Sequence, residues 1–230
     1  MKRMAPAALT VGVGMLLTAC GLDMDLGSRH EDVKTYEIAD ALTELQVNIG
    51  AGDVIVNESD RSGVKVTETL QWRSSKPETE RSVEGKALVL RYMCGKGPLS
   101  HCNVNYKVEI PKGLRVKIDG GAGVITLRQL SGELEVATGA GDIRTVGLAV
   151  KRLKADTGAG TVELAFVAPP DSVEATTGAG EVEVKVPGGP YDVEAGAGVG
   201  DVTVKVDKDP SSPRKIKVSS GVGDVKVLKS

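Results

Sequence analysis

Seven times along this chain, taking the overlapping triplets at 196–200 as one, a Gly-x-Gly triplet is followed within two residues by Val or Ile. The triplets begin at Gly50, Gly121, Gly139, Gly158, Gly178, Gly198 and Gly221, and an acid usually follows the second glycine. From Gly123 onward the second glycines lie 18 to 23 residues apart, a spacing typical of solenoid repeats. Apolar or small residues alternate on both sides of each triplet, but the parity shifts across it. Val173, Ala175, Thr177 and Ala179 give way to Val182, Val184 and Val186. Leu153, Ala155, Thr157 and Ala159 give way to Val162, Leu164 and Phe166, and Ile216, Val218, Ser220 and Val222 to Val225 and Val227. A strand that reverses its inward parity turns a corner there, and glycine supplies the backbone freedom. Each repeat therefore reads as strand, glycine corner, strand and return loop.

The fold class expected is all-β: a β-solenoid (parallel β-helix) of about 20-residue coils with Gly-x-Gly corners. Residues before the corner are small and those after it larger, so the interior tapers toward the corner. At about 4.8 Å per coil, the six coils from Gly123 to Gly223 make a rod roughly 25 to 30 Å long. The repeat domain spans 111–230. An irregular β region at 41–110 contains alternating runs such as Val64-Lys65-Val66-Thr67 and Val104 to Ile110. It reads either as three degenerate coils or as antiparallel hairpins forming a cap, with the second preferred. At the other end Lys226 and Lys229 alternate with apolar residues, which suits protection of an open sheet edge by charge.

The first twenty residues are a targeting segment rather than part of the fold. Lys2 and Arg3 precede an apolar run ending Leu17-Thr18-Ala19-Cys20, too short to serve as a permanent span. The ending resembles the lipobox of bacterial lipoproteins, which implies a signal peptide at 1–20 and a lipid on Cys20. An ordinary secretory peptide is the alternative. Residues 21–40 lack apolar periodicity and read as a flexible tether. The expected location is the cell membrane, lipid-anchored on the extracytoplasmic side, with the membrane itself as one partner. The chain has three cysteines. With Cys20 lipidated, Cys94 and Cys102 remain and read as a disulfide closing a short loop. His101 beside Cys102 raises a metal site as the rival, but zinc sites need more protein ligands than this segment offers.

The run Val104 to Leu127 contains Tyr106-x-Val108-x-Ile110-Pro111-x-Gly113, then Val116-x-Ile118 and Gly121-Ala122-Gly123. It resembles a bacterial family provisionally named as adhesins and long held to be a domain of unknown function. The resemblance covers roughly residues 41 to 230. It implies an exported or envelope-associated β-solenoid, and it brings no catalytic residue with it.

The corner acids Asp53, Asp142, Glu181, Asp201 and Asp224 would stack in a ladder. Asp142, Glu181, Asp201 and Asp224 are weak calcium candidates on that ground. The simpler reading is that each acid bonds nearby backbone N–H groups. No metal and no cofactor is expected. Charges spread over outward positions, without a nucleophile–base pair or a carboxylate cluster, argue for a non-enzymatic protein. A mildly acidic composition, with 29 basic and 31 acidic residues, argues against nucleic acid as a partner. Trp72, Tyr92 and the Cys94–Cys102 loop mark the region where a partner surface is expected first. The function expected is adhesion or scaffolding through a protein or cell-surface partner. An envelope-stress or signalling accessory role beside a membrane protein is the alternative, and a polysaccharide-active enzyme comes third.

Overall fold

The structure, a computed structural model, describes residues 29–95 and 102–230. Its strands in chain order begin with β1 His30–Ile38, β2 Glu44–Ala51, β3 Val54–Glu58, β4 Val64–Trp72, β5 Glu78–Glu84, β6 Ala87–Met93 and β7 Cys102–Ile110. Then come β8 Arg115–Ala122, β9 Ile125–Arg128, β10 Leu134–Ala140, β11 Ile143–Val146, β12 Arg152–Ala159 and β13 Val162–Ala165. The last are β14 Ser172–Ala179, β15 Val182–Val186, β16 Asp192–Val199, β17 Val202–Lys205, β18 Lys215–Val222 and β19 Val225–Lys229. They form two facing sheets. One has ten strands in the order β1-β4-β7-β3-β9-β11-β13-β15-β19-β17, the other nine in the order β16-β18-β14-β12-β10-β8-β2-β6-β5. The chain is thus an all-β solenoid in which each coil gives one strand to each sheet.

Equivalent residues stack because the coils pair in parallel and in register. Ala175 lies between Ala155 and Val218 in one sheet, and Val182 between Val162 and Val225 in the other. All six are buried. Each of the valines contributes about 1.5–3 kcal/mol on leaving water. The small hydroxyl residues before the corner are buried too, and those of three coils bond the corner below. Thr157 Oγ1 donates to the Gly141 carbonyl at 3.0 Å, Thr177 to Gly160 at 2.9 Å and Ser220 to Gly180 at 2.8 Å.

The corner differs from the sequence reading in one respect. Ala159, Ala179 and Val222 point outward rather than inward, and Val222 is 56 % exposed. The parity therefore changes at the first glycine of each triplet. The second glycine then turns the chain, with φ of +145° at Gly160 and +144° at Gly180.

The order of coils along the rod departs from chain order at both ends. The β2–β3 coil lies inside the β6–β7 coil, against β8 and β9. At the far end the C-terminal coil, β18–β19, is inserted between β14–β15 and β16–β17. Lys226 and Lys229 consequently sit on an internal strand, and the expectation that they guard the end is overturned. The true edges there are β16 and β17. The region 41–110 combines both readings made of it. It contributes two coils, whose β6 and β7 stack in parallel, and the antiparallel cap strands β4 and β5, on which β1 from outside the region adds a third. β1 occupies much of the segment read as a tether. Its inward positions, Asp32, Lys34, Tyr36 and Ile38, are mostly polar, so the alternation carried no apolar signal.

Candidate functional site

The capped end of the rod gathers most of the residues singled out from sequence. β4 and β7 run antiparallel with Trp72 opposite Cys102, and Cys102 is bonded to Cys94 with the Cα atoms 5.8 Å apart. The disulfide therefore ties β6 of one sheet to β7 of the other, at the place where inner coils have a glycine corner. Trp72 stacks on His30 with ring centroids 5.6 Å apart, and Lys76 Nζ lies 5.4 Å from the indole centroid. A cavity of about 510 Å³ opens beside them, lined by Arg29, Gln71, Trp72, Arg73, Cys102 and Asn103. Lys76 also pairs with Asp32, and the hydrogen bond from Lys76 holds that carboxyl below its ordinary range. The groove is aromatic and rimmed by cations, but the indole is already engaged by His30 and Lys76.

Tyr92 lines a separate cavity of about 400 Å³ with Asn48, Glu78, Glu80 and Arg91 among its neighbours. Its hydroxyl accepts a hydrogen bond from the Ala51 N–H at 2.6 Å and donates to the Ala51 carbonyl. Tyr92 thus closes the hydrogen-bonding of a glycine corner whose outer neighbour lacks one. Trp72 and Tyr92 do not share a surface; the disulfide is what links their strands. His101 and Cys20 lie outside the described residues.

Three of the five corner acids are occupied by backbone. Asp53 Oδ1 accepts from the Val124 N–H at 2.9 Å, Asp142 Oδ1 from Thr161 at 2.9 Å and Asp224 Oδ1 from Asp201 at 3.0 Å. Asn105 serves Asp53 N–H in the same way at 2.8 Å. Each carboxylate thereby bonds the corner of the next coil rather than its own turn. Glu181 instead pairs with Lys226 at 2.6 Å. Among the described residues no group of three or more His, Cys, Asp or Glu is arranged to hold a metal ion.

Sequence reasoning missed Glu68. It is only 2 % exposed, and it lies on β4 between Lys34 and Tyr106. Tyr36 donates its hydroxyl proton to Glu68 Oε1, while Oε2 is buried without a partner. Arg81 lies 4.2 Å from the Tyr36 ring centroid. The signal was present: Val64, Val66, Glu68 and Leu70 share one parity, so an acid stood in an inward column. Tyr36→Phe is expected to cost about 1–3 kcal/mol, because it leaves a buried carboxylate with no donor. Adding Glu68→Leu should recover most of that loss. Urea unfolding of the two variants and the parent checks it, and a neutral Tyr36→Phe would show that water already serves the carboxylate.

The tyrosines also fix a pH response. Burial raises Tyr36, Tyr92, Tyr106 and Tyr191 above the ordinary phenol value, and for Tyr36 and Tyr106 the nearby Glu68 charge raises them further. A folded pKa above the unfolded value of about 10 favours the neutral phenol in the fold. The stabilisation is complete below about pH 10 and is lost as pH rises beyond it, by up to about 1.4 kcal/mol per pH unit for each tyrosine. Melting temperatures from pH 8 to 12 should fall steeply above 10, with tyrosinate absorbance appearing together with unfolding. Gradual tyrosinate formation in the folded protein at pH 10 would contradict this.

A two-sheet parallel solenoid with glycine corners and an antiparallel, disulfide-tied cap defines the class of protein. The sequence matches the family described as Toastrack DUF4097 over residues 39–228, and the chain belongs to that family. No curated protein matches it. Solved structures similar to it include a provisionally named cell adhesion protein from Clostridium sporogenes, 17% identical with a TM-score of 0.49, covering 88% of this chain and 100% of that one. A provisionally named adhesin from Bacteroides fragilis is 14% identical with a TM-score of 0.49, covering 86% and 97%. Another from Parabacteroides merdae is 12% identical with a TM-score of 0.37, covering 85% and 96%.

Proposed function

We propose that this chain is a lipid-anchored rod on the extracytoplasmic face of the cell membrane, acting without catalysis by surface contact, in adhesion or scaffolding. The observation that carries the reading is the continuous ladder of parallel coils through both sheets, with its capped end at the chain's N-terminal side. Such a stack is stiff along its axis, because each coil is bonded in register to the next. A membrane attachment at Cys20 lies ten residues before β1, so it would hold the rod by the cap. Lipidation with two or more chains is sufficient for stable anchoring. The corner acids support a contact role over a chemical one, since Asp53, Asp142 and Asp224 each spend an oxygen on backbone.

The test is made in cells. Cys20→Ser is expected to move the protein from the membrane fraction to the soluble extracytoplasmic fraction. Deleting the protein should reduce attachment of cells to a surface or to one another several-fold, with rescue by the parent chain and not by Cys20→Ser. Full membrane retention of Cys20→Ser overturns the anchor. Unchanged attachment, together with crosslinking in intact cells to a single membrane kinase or transporter, overturns adhesion in favour of envelope signalling.

A further inference from the structure

The two ends of the rod are built differently, and the difference points to a second copy of this chain. At the capped end the edge strands β1 and β5 carry inward-facing charges, Asp32, Lys34 and Arg81. Inward charges on an edge are a standard block to strand addition. At the other end the edge strands are β16 and β17, each bonded on one side only, to β18 and β19. Their inward residues are Val193, Ala195, Ala197, Val202 and Val204, none of them charged and none fully covered. Val202 is 44% exposed, and Val199 beside it at the corner is 67% exposed. In the coil next inside, the equivalent Val225 and Val227 are fully buried. The apolar interior of the solenoid is therefore open at this end, flanked by two rows of unpaired backbone groups.

We propose that this end face is a homodimerisation site, where the terminal coil of one copy stacks on the terminal coil of another about a two-fold axis lying along the strand direction. Because β16 and β17 run in opposite directions within the coil, that axis lays β16 of each copy antiparallel on β17 of its partner. Glu194 and Lys205 lie six and five residues either side of Gly200, so they come level across the interface. Each dimer then has two Glu–Lys pairs. The other two-fold, normal to the sheets, sets β16 on β16 and gathers Asp192 and Glu194 of both copies on one edge, with Lys205 of both on the other. Charge complementarity selects the first arrangement. Head-to-tail stacking is opposed by the charged cap. The face is narrow, two strands about 10 Å apart, so the contact falls below the standard interface of about 800 Å² per partner. A dissociation constant of roughly 1–100 µM is expected, by the behaviour of small interfaces. The inference does not depend on the lipid anchor or on adhesion.

Sedimentation velocity on the purified full chain, in detergent at constant micelle mass and from about 1 to 500 µM, reads the association. The parent is expected to pass from monomer to dimer and stop there. Glu194→Lys should weaken the dimer about tenfold, Lys205→Glu likewise, and the double exchange should restore it to within about threefold. Thermal melting of each variant at low concentration controls for the pairing of Glu194 with Lys217 in the same chain. Val204→Lys, at a half-covered edge position, should abolish the dimer and leave the monomer's melting temperature nearly unchanged. A chain that remains monomeric at 500 µM overturns the proposal, as does a dimer that survives Val204→Lys. Failure of the double exchange to restore it overturns the β16-on-β17 geometry, and an open-ended series of larger species overturns the two-fold. Specific occupation of the edge by a strand of another protein in preference to a second copy would also overturn it.

Discussion

Truncation of the chain after Asp207 is expected to abolish stable folding, although it removes only what chain order would make the last repeat. In a solenoid stacked in chain order, losing the final coil costs one intrinsic unit and one interface. Here the final coil is internal. Its removal takes Ile216, Val218, Val225 and Val227 out of the core, each 0–1% exposed. At about 1.5–3 kcal/mol per side chain, that is on the order of 10 kcal/mol, the whole stability of an ordinary domain. It also strips β16 and β17 of every ladder partner they have. Purified truncated protein should be largely insoluble, or melt more than about 15 °C below the parent, since 1 kcal/mol corresponds to about 2–4 °C at this size. Hydrogen exchange over residues 192–206 should be unprotected in any soluble fraction. A gentler pair makes the same comparison without deletion: Val227→Asp should be severely destabilising, and Val204→Asp should cost about a third as much or less. Equal costs, or a truncated chain that melts within a few degrees of the parent, would show that β16–β17 can re-pair directly with β14–β15.

The coil itself was legible in the sequence, but its order was not, and the physical reason is the repetition. Val173, Ile216 and Val193 occupy the same place in three coils, so the period defines which residues face inward without saying which coil lies next to which. What distinguishes the coils is secondary. The link from β17 to β18, residues 206–214, is longer than the link at 187–191 between β15 and β16. From Gly123 onward the last glycine spacing is also the longest, 23 residues from Gly200 to Gly223. A longer link is what a chain needs to step back over an intervening coil. β16 moreover offers Ala197 where the inner coils carry the bonded hydroxyls of Thr157, Thr177 and Ser220, which suits an end position. At the cap, the disulfide followed from cysteine count and spacing. The inward column of β1 did not, because Asp32, Lys34 and Tyr36 are polar residues in inward places. The corner acids were legible as backbone partners, but their partner is the next coil's N–H, a contact that exists only once the stacking is known.

Substitutions at glycine separate the two demands that the corner makes, and among Gly85, Gly158 and Gly160 the largest effect is expected at Gly160. Gly85 has φ +66° with nothing within 4 Å of an added methyl carbon, so only conformational strain opposes a side chain there. Gly158 lies outside the left-handed region, yet a Cβ would stand 2.5 Å from the Gly139 carbonyl oxygen. Gly160 combines both: φ is +145°, and a Cβ would lie 2.1 Å from the Gly141 oxygen and 2.6 Å from its carbon. The obstructing atoms are backbone of the neighbouring coil, so no side-chain rotation relieves them. Relief requires these two coils to part, which stretches the Gly141 N–H bond to the Ala159 carbonyl at 2.8 Å, the Thr161 N–H bond to Asp142 and the Thr157 bond to the Gly141 carbonyl. Gly85→Ala should cost about 1 kcal/mol, the ordinary strain of a left-handed position. Gly158→Ala should cost about 2–3 kcal/mol as overpacking, and Gly160→Ala more than about 4 kcal/mol, in the range reserved for strain and overlap together. Urea unfolding of the three alanine variants gives the ranking directly. Were Gly160→Ala no worse than Gly85→Ala, backbone freedom alone would explain the repeat, and the close stacking of coils would not be what selects glycine.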